Sequence, residues 1–132
     1  MSDLKCAGMQ LEGARRDHVT LEEATPRVPD ESFGFHAQQA TEKALKAWLA
    51  LLGRKYPLTH DLDDLFEHLA SAGATTGFFH SLRRFTPYAV QFRYEGLGPD
   101  HAPIDRPAAI ALTGALIKHV GDLIAKLERG TR

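Results

Sequence analysis

The chain has 132 residues, 16 lysines and arginines against 17 aspartates and glutamates, and a formal net charge of -1. That length fits one domain, residues 1–132, able to bury a core without disulfide or metal staples, and the charge balance excludes bulk electrostatic attraction to nucleic acid, so any RNA or DNA contact must be local. The single cysteine, Cys6, excludes an internal disulfide, and no Cys/His spacing has the form of a structural zinc site. With no run of about 18 apolar residues and no charged start leading into an apolar signal segment, the protein is expected to be cytoplasmic, with no membrane partner.

Leu4, Ala7, Leu11, Ala14, His18 and Leu21 follow the helical repeat and predict a first helix, supported by Glu12 four residues before Arg16 and ended by Thr25, Pro26 and Pro29. The stretch Phe35 to Leu52, FHAQQATEKALKAWLALL, predicts a second helix, with Asp30 or Ser32 able to cap its start and Gly53 to close it. Ala37, Ala40, Ala44, Ala47, Trp48 and Leu51 line one face of it, while His36, Gln39, Lys43 and Lys46 share a neighbouring stripe. Alanine in the seam lets another helix come close, which places the polar row in a groove between helices.

Thr59 reads as the cap of a third helix, with Asp61, Asp63 and Asp64 in the first turn, an apolar stripe of Leu62, Leu65, Phe66 and Leu69, and Gly73 as its stop. Phe79, Leu82 and Phe85 predict a further helical element over Phe78 to Phe85, kinked or split where Thr86 and Pro87 read as an N-cap and first position of a restart. EGLGPDHAPIDR then reads as a long loop, and Asp105 caps a last helix with Ala109, Leu112, Leu116, Val120, Leu123 and Leu127 facing inward. No segment alternates with period two. The fold class is therefore all-α, an up-and-down bundle of four to five helices.

Three words in the chain, FHAQQATEKALKAWL, PLTHDLDDLFEHL and YAVQFRYEG, resemble in order and separation the HEPN domains of small prokaryotic proteins. The resemblance covers roughly Arg15 to Leu127. It implies a helical bundle, commonly a homodimer, often encoded beside a minimal nucleotidyltransferase (MNT), in nucleotide- or RNA-related and toxin-antitoxin roles.

The family includes metal-independent ribonucleases with an Arg, four to six residues and a His near the start of the last long helix. Arg93 and His101 stand nearest to that place, but the seven residues between them include two Gly and one Pro, so helical spacing cannot join them. Arg54 and His60 have the nuclease spacing yet sit ahead of the third helix. The resemblance instead favours the non-nuclease branch, whose shared residues are His36, Gln39, Lys43, Lys46, His60, Asp61, Arg93 and Tyr94. Lys and Arg can meet phosphate oxygens, Gln a base or ribose edge, and Tyr a base face. Each also has an ordinary role. Lys43 and Lys46 can be solvated helix charges, with Glu42 and Lys46 an i, i+4 pair, His60 and Asp61 can help cap a helix, Gln39 can bond a neighbouring helix and Tyr94 can pack in the core.

Seven histidines raise the question of a metal, but His60 and His68 lie two helical turns apart, beyond i, i+4 pairing, and His18, His80 and His119 read as interface or surface residues. No metal and no cofactor are expected. Three readings remain: a nucleotide- or phosphate-binding homodimer partnered with an MNT-type nucleotidyltransferase, an endoribonuclease that joins Arg93 to His101 across a dimer, or a ligand-free assembly module. Trp48 and the Phe78 to Phe85 segment are candidates for the dimer seam.

Overall fold

Asp3 starts the first helix by accepting the Cys6 backbone N–H at 3.0 Å, satisfying one of the donors that a helix start leaves open. The computed structural model describes residues 2–89 and 102–130, and the elements run α1 Leu4–Glu23, α2 Asp30–Leu51, α3 Leu62–Ser71, a 3₁₀ helix Gly77–Tyr88, and α4 Arg106–Gly130. Among the described residues there is no strand. The all-α bundle is the observed fold.

Helix α2 lies at the centre, packed by α1, α3, the 3₁₀ helix and α4, with its broadest contact on α1. Its alanine seam is sealed: Ala37, Ala40, Ala44 and Ala47 are fully buried, and Trp48 and Leu51 nearly so. Trp48 packs its ring edge-on against Phe79 and His119 at centroid distances of 6.3 and 4.9 Å, so it belongs to the core of the chain rather than to the open seam expected of it. Gly53 and Gly73 close α2 and α3 at φ 72° and 86°, left-handed positions where a side chain would strain the backbone.

Several expected details shift. Helix α2 begins at Asp30, with Pro29 in the cap position and no side-chain cap; Asp30 instead accepts from the Ile104 N–H at 3.2 Å and from Arg106 at 2.8 Å. Arg106 also donates to the Thr25 and Val28 carbonyls and lies over the Phe33 ring, so one guanidinium fastens the start of α4 to the α1–α2 turn. The cap of α3 is Asp61, which accepts the Asp63 N–H at 2.9 Å, while Thr59 receives the Asp61 N–H at 3.0 Å.

The segment through Pro87 is neither α-helical nor split. It is a continuous 3₁₀ helix whose buried Phe79, Leu82 and Phe85 recur every third residue, the repeat of a helix with three residues per turn. Thr86 does not restart it; its hydroxyl accepts the Leu62 N–H at 3.1 Å, pinning the segment to the first turn of α3. Tyr88 lies against Gly34, where a Cβ would stand 2.3 Å from the Tyr88 ring.

Ala109, Leu116 and Val120 of α4 are buried as expected, but Thr113, Ile117 and Ile124 complete the buried face, leaving Leu112, Leu123 and Leu127 partly covered at its edge. By length and composition α4 is apolar enough to cross a membrane, with 33% of its apolar window buried in the bundle. Thr113, Lys118 and His119 interleave with its apolar residues, so it holds no uninterrupted apolar run, and the core helix of a bundle has the same length and composition.

Candidate functional site

Two carboxylates organise the polar face of α2. Asp17, on α1 and only 8% exposed, receives Lys43 Nζ at 2.7 Å on one oxygen and His36 Nδ1 at 2.9 Å on the other. His36 and Lys43 are seven residues apart, two turns of α2, so both can reach one acid on the facing helix. Gly13 on α1 leaves room for the lysine stem, since a Cβ there would stand 3.1 Å from Lys43 Cδ.

The second carboxylate is Glu42, 5% exposed, on α2 itself. Lys46 Nζ bonds its Oε2 at 3.0 Å, while Gln38 Nε2 at 2.9 Å and His60 Nδ1 at 2.8 Å meet Oε1. Gln38, Glu42 and Lys46 follow one another at intervals of four, a single stripe on the helix. Gln38 Nε2 also donates to the His60 carbonyl at 3.0 Å, and Gln39 Nε2 to Gln38 Oε1 at 2.7 Å, so the network runs from α2 into the connection before α3.

Burial alone would raise the Glu42 pKa, but the hydrogen bonds from Gln38, His60 and Lys46, with the Lys46 charge, outweigh it and hold the group below its ordinary value. Glu42 is therefore a carboxylate at neutral pH and can only accept, which makes His60 Nδ1 the donor and leaves Nε2 directed elsewhere. The His60 side chain is 69% exposed, against 10% for Lys46. Beside Lys46 stands Tyr56, its ring centroid 5.4 Å from Nζ and its hydroxyl bonded by Gln10 at 3.0 Å and in contact with Cys6 at 3.4 Å. The Cys6 contact, with burial, raises the Tyr56 pKa against the opposing pull of Gln10, so the phenol stays neutral.

Of the residues singled out from sequence, His36 and Lys43 meet at Asp17, and Lys46, His60 and, through Gln38, Gln39 meet around Glu42. Glu42 and Lys46 are not the solvated surface pair that their spacing allowed but a buried one. Asp61 stands apart as the cap of α3. Arg93, Tyr94 and His101 lie outside the described residues. Among the described residues no three His, Cys, Asp or Glu side chains are grouped so as to hold a metal ion.

The sequence reading missed the two acids as organisers, and Gln38 and Tyr56 with them. A signal existed for three of these: Asp17 falls on the apolar stripe with Ala14 and Leu21, and Gln38 and Glu42 share theirs with Leu45 and Leu49. Polar groups on a buried stripe demand polar partners.

The α2–α3 connection that carries His60 also exposes Arg54 and Lys55, neither of which has an ion-pair partner among the described residues. The connection thus presents two exposed cations and an exposed imidazole, the imidazole bonded to a charge-balanced buried carboxylate. No curated protein and no solved structure matches the chain. A model of the HEPN domain matches residues 9–123, nearly the whole bundle including both carboxylate networks, and the chain belongs to the HEPN domain family.

Proposed function

We propose that the protein is a nucleotide- or phosphate-binding HEPN partner protein: a cytoplasmic homodimer that works with an MNT-type nucleotidyltransferase in a toxin-antitoxin-like system. The observation that carries the binding role is the α2–α3 connection, which exposes Arg54, Lys55 and His60 and through His60 reaches the buried Glu42–Lys46 pair. Because Lys46 is committed to Glu42 and Lys43 to Asp17, they set the local field and hold the frame, while direct phosphate contact falls to the exposed cations and to the imidazolium form of His60, whose Nε2–H can donate. Gln39 stands at the edge of the same network, and Arg93 and Tyr94 complete the set that the family resemblance suggests. Dimerisation and the nucleotidyltransferase partner are supported by family membership alone.

Calorimetric titration of the purified protein with ATP, GTP and inorganic phosphate tests the reading. Binding is expected to weaken about tenfold in His60→Ala and in Arg54→Ala, the loss of one charge-assisted contact. Absence of heat with every nucleotide, with and without the transferase, would overturn the binding role. Cleavage of labelled RNA in EDTA that is lost in both Arg93→Ala and His101→Ala would replace it with a ribonuclease.

A further inference from the structure

The six histidines in the described residues are held in six different ways. His18 uses both ring nitrogens, on the Ile110 carbonyl and on Glu22. His80 gives Nε2 to Thr76 and lies against Phe66, and His119 packs on Trp48 and Phe79. His36 is bonded to Asp17 but half-buried against Phe35. His68 is exposed and bonded through Nδ1 at 2.8 Å, but to the uncharged Asp64 carbonyl. His60 alone among them joins an exposed ring to a buried carboxylate through Nδ1, with no partner on Nε2 among the described residues.

That contact is not the only one that holds Glu42. Glu42 already has its charge balanced by Lys46 and a further hydrogen bond from Gln38. The His60 backbone is held independently by the Gln38 bond to its carbonyl. An ion pair with one partner this exposed adds little stability. What the Glu42 contact does fix is the tautomer and direction of the ring: the proton sits on Nδ1, and the lone pair of neutral His60 is on the outward nitrogen. A nucleophile whose partner is in turn oriented by further groups, here Gln38 and Lys46 behind Glu42, is one arrangement that activates a side chain for covalent chemistry.

We infer that His60 is a phosphoryl-acceptor site, at which Nε2 attacks the phosphorus of a small phosphoryl donor. The Nε2 lone pair forms the N–P bond while the bond from phosphorus to its leaving group breaks, and that electron pair departs with the leaving group. Positive charge develops on the ring against Glu42, and the Nδ1 proton remains in the hydrogen bond. The phosphoryl group lies beside the α2–α3 connection, where Arg54 and Lys55 are exposed. This inference goes beyond nucleotide binding and does not depend on it.

The test is incubation of the whole protein with potassium phosphoramidate, a donor without a nucleotide, followed by mass mapping under alkaline conditions that preserve phosphohistidine. His60 is expected to take the phosphoryl group about tenfold faster than His68, the effect of one charge-assisted hydrogen bond on a rate. His68 is the internal control, since it has the same bonded nitrogen and an exposed ring but no carboxylate. Glu42→Gln is expected to bring His60 down to the His68 rate, and His60→Ala to remove the fast label. Equal rates at His60 and His68 in the unaltered protein, or a first label elsewhere, would overturn the inference even if Glu42→Gln fails to fold. Fast labelling of His60 without any nucleotide heat would leave the acceptor site standing and remove the nucleotide reading; the reverse pattern would do the opposite.

Discussion

Lys43 on α2 places Nζ 2.7 Å from Asp17 Oδ2 on α1, and this pair joins the two helices that share the broadest contact in the bundle. Asp17 is nearly buried, while the Lys43 side chain keeps 32% of its exposure, so the lysine can return to water if its partner is lost. Asp17→Ala is accordingly expected to cost about 1–2 kcal/mol, less than the loss of a fully buried partner. A fall in the urea midpoint with unchanged slope checks this. Adding Lys43→Met should cost less than the sum of the two single changes, because the second substitution removes the orphaned charge.

Glu42 ties stability to pH. Its folded pKa lies below its ordinary value of 4.5, so the folded state binds the proton more weakly than the unfolded chain does. A depressed carboxyl group contributes stability that is fully present above the unfolded value and is lost as pH falls through the folded one. The urea midpoint should therefore drop between about pH 6 and about pH 3, and Glu42→Gln should drop less over the same interval, having no carboxylate to protonate. Equal slopes for the two proteins would show that other acids carry the acid sensitivity.

The helices were legible because their signals are local and repeated: the alanine seam of α2, the glycines after α2 and α3, and Asp105, which does cap α4 by accepting the Ala108 N–H at 3.1 Å. The 3₁₀ helix was misread because Phe79, Leu82 and Phe85 suit an α-helix for two steps, and only strict spacing by three tells the two apart. At the site, the cations and the Glu42–Lys46 pair were legible, while Asp17 and the burial of Glu42 were not. His36, Lys43 and Lys46 share one stripe, but Asp17 comes from another helix and His60 from a connection, and no spacing rule reaches across those gaps. What the chain did show was carboxylates on apolar stripes, whose meaning appears only when the partners are placed.

Gly34 and Tyr88 make a second close approach, between α2 and the end of the 3₁₀ helix. A Cβ at position 34 would lie 2.3 to 2.7 Å from three carbons of the Tyr88 ring, so Gly34→Ala must push the ring aside. Overpacking of this kind typically costs about 1–3 kcal/mol, which exceeds the roughly 1 kcal/mol that alanine returns as a better helix former. Thermal unfolding should show a lower midpoint for Gly34→Ala. In a Tyr88→Ala background the same substitution should be neutral or stabilising, because the clash is gone and the helix preference remains.

Arg106 offers a test of geometry against charge. Its guanidinium donates to Asp30, to the Thr25 carbonyl and to the Val28 carbonyl, and it lies 4.8 Å from the Phe33 ring centroid. A lysine at this position keeps the positive charge and one bond to Asp30, but an ammonium cannot span two carbonyls and a carboxylate in a planar fork while stacking on an aromatic face. If charge alone mattered, Arg106→Lys would be silent. The contacts predict instead a loss of about 1–2 kcal/mol from at least one unmade hydrogen bond and the weakened ring contact. Hydrogen exchange is the measurement that localises it: amides of Ala109 to Thr113 at the start of α4 should exchange faster in Arg106→Lys, while those of α3, which shares no contact with α4 among the described residues, should change only as far as global stability falls.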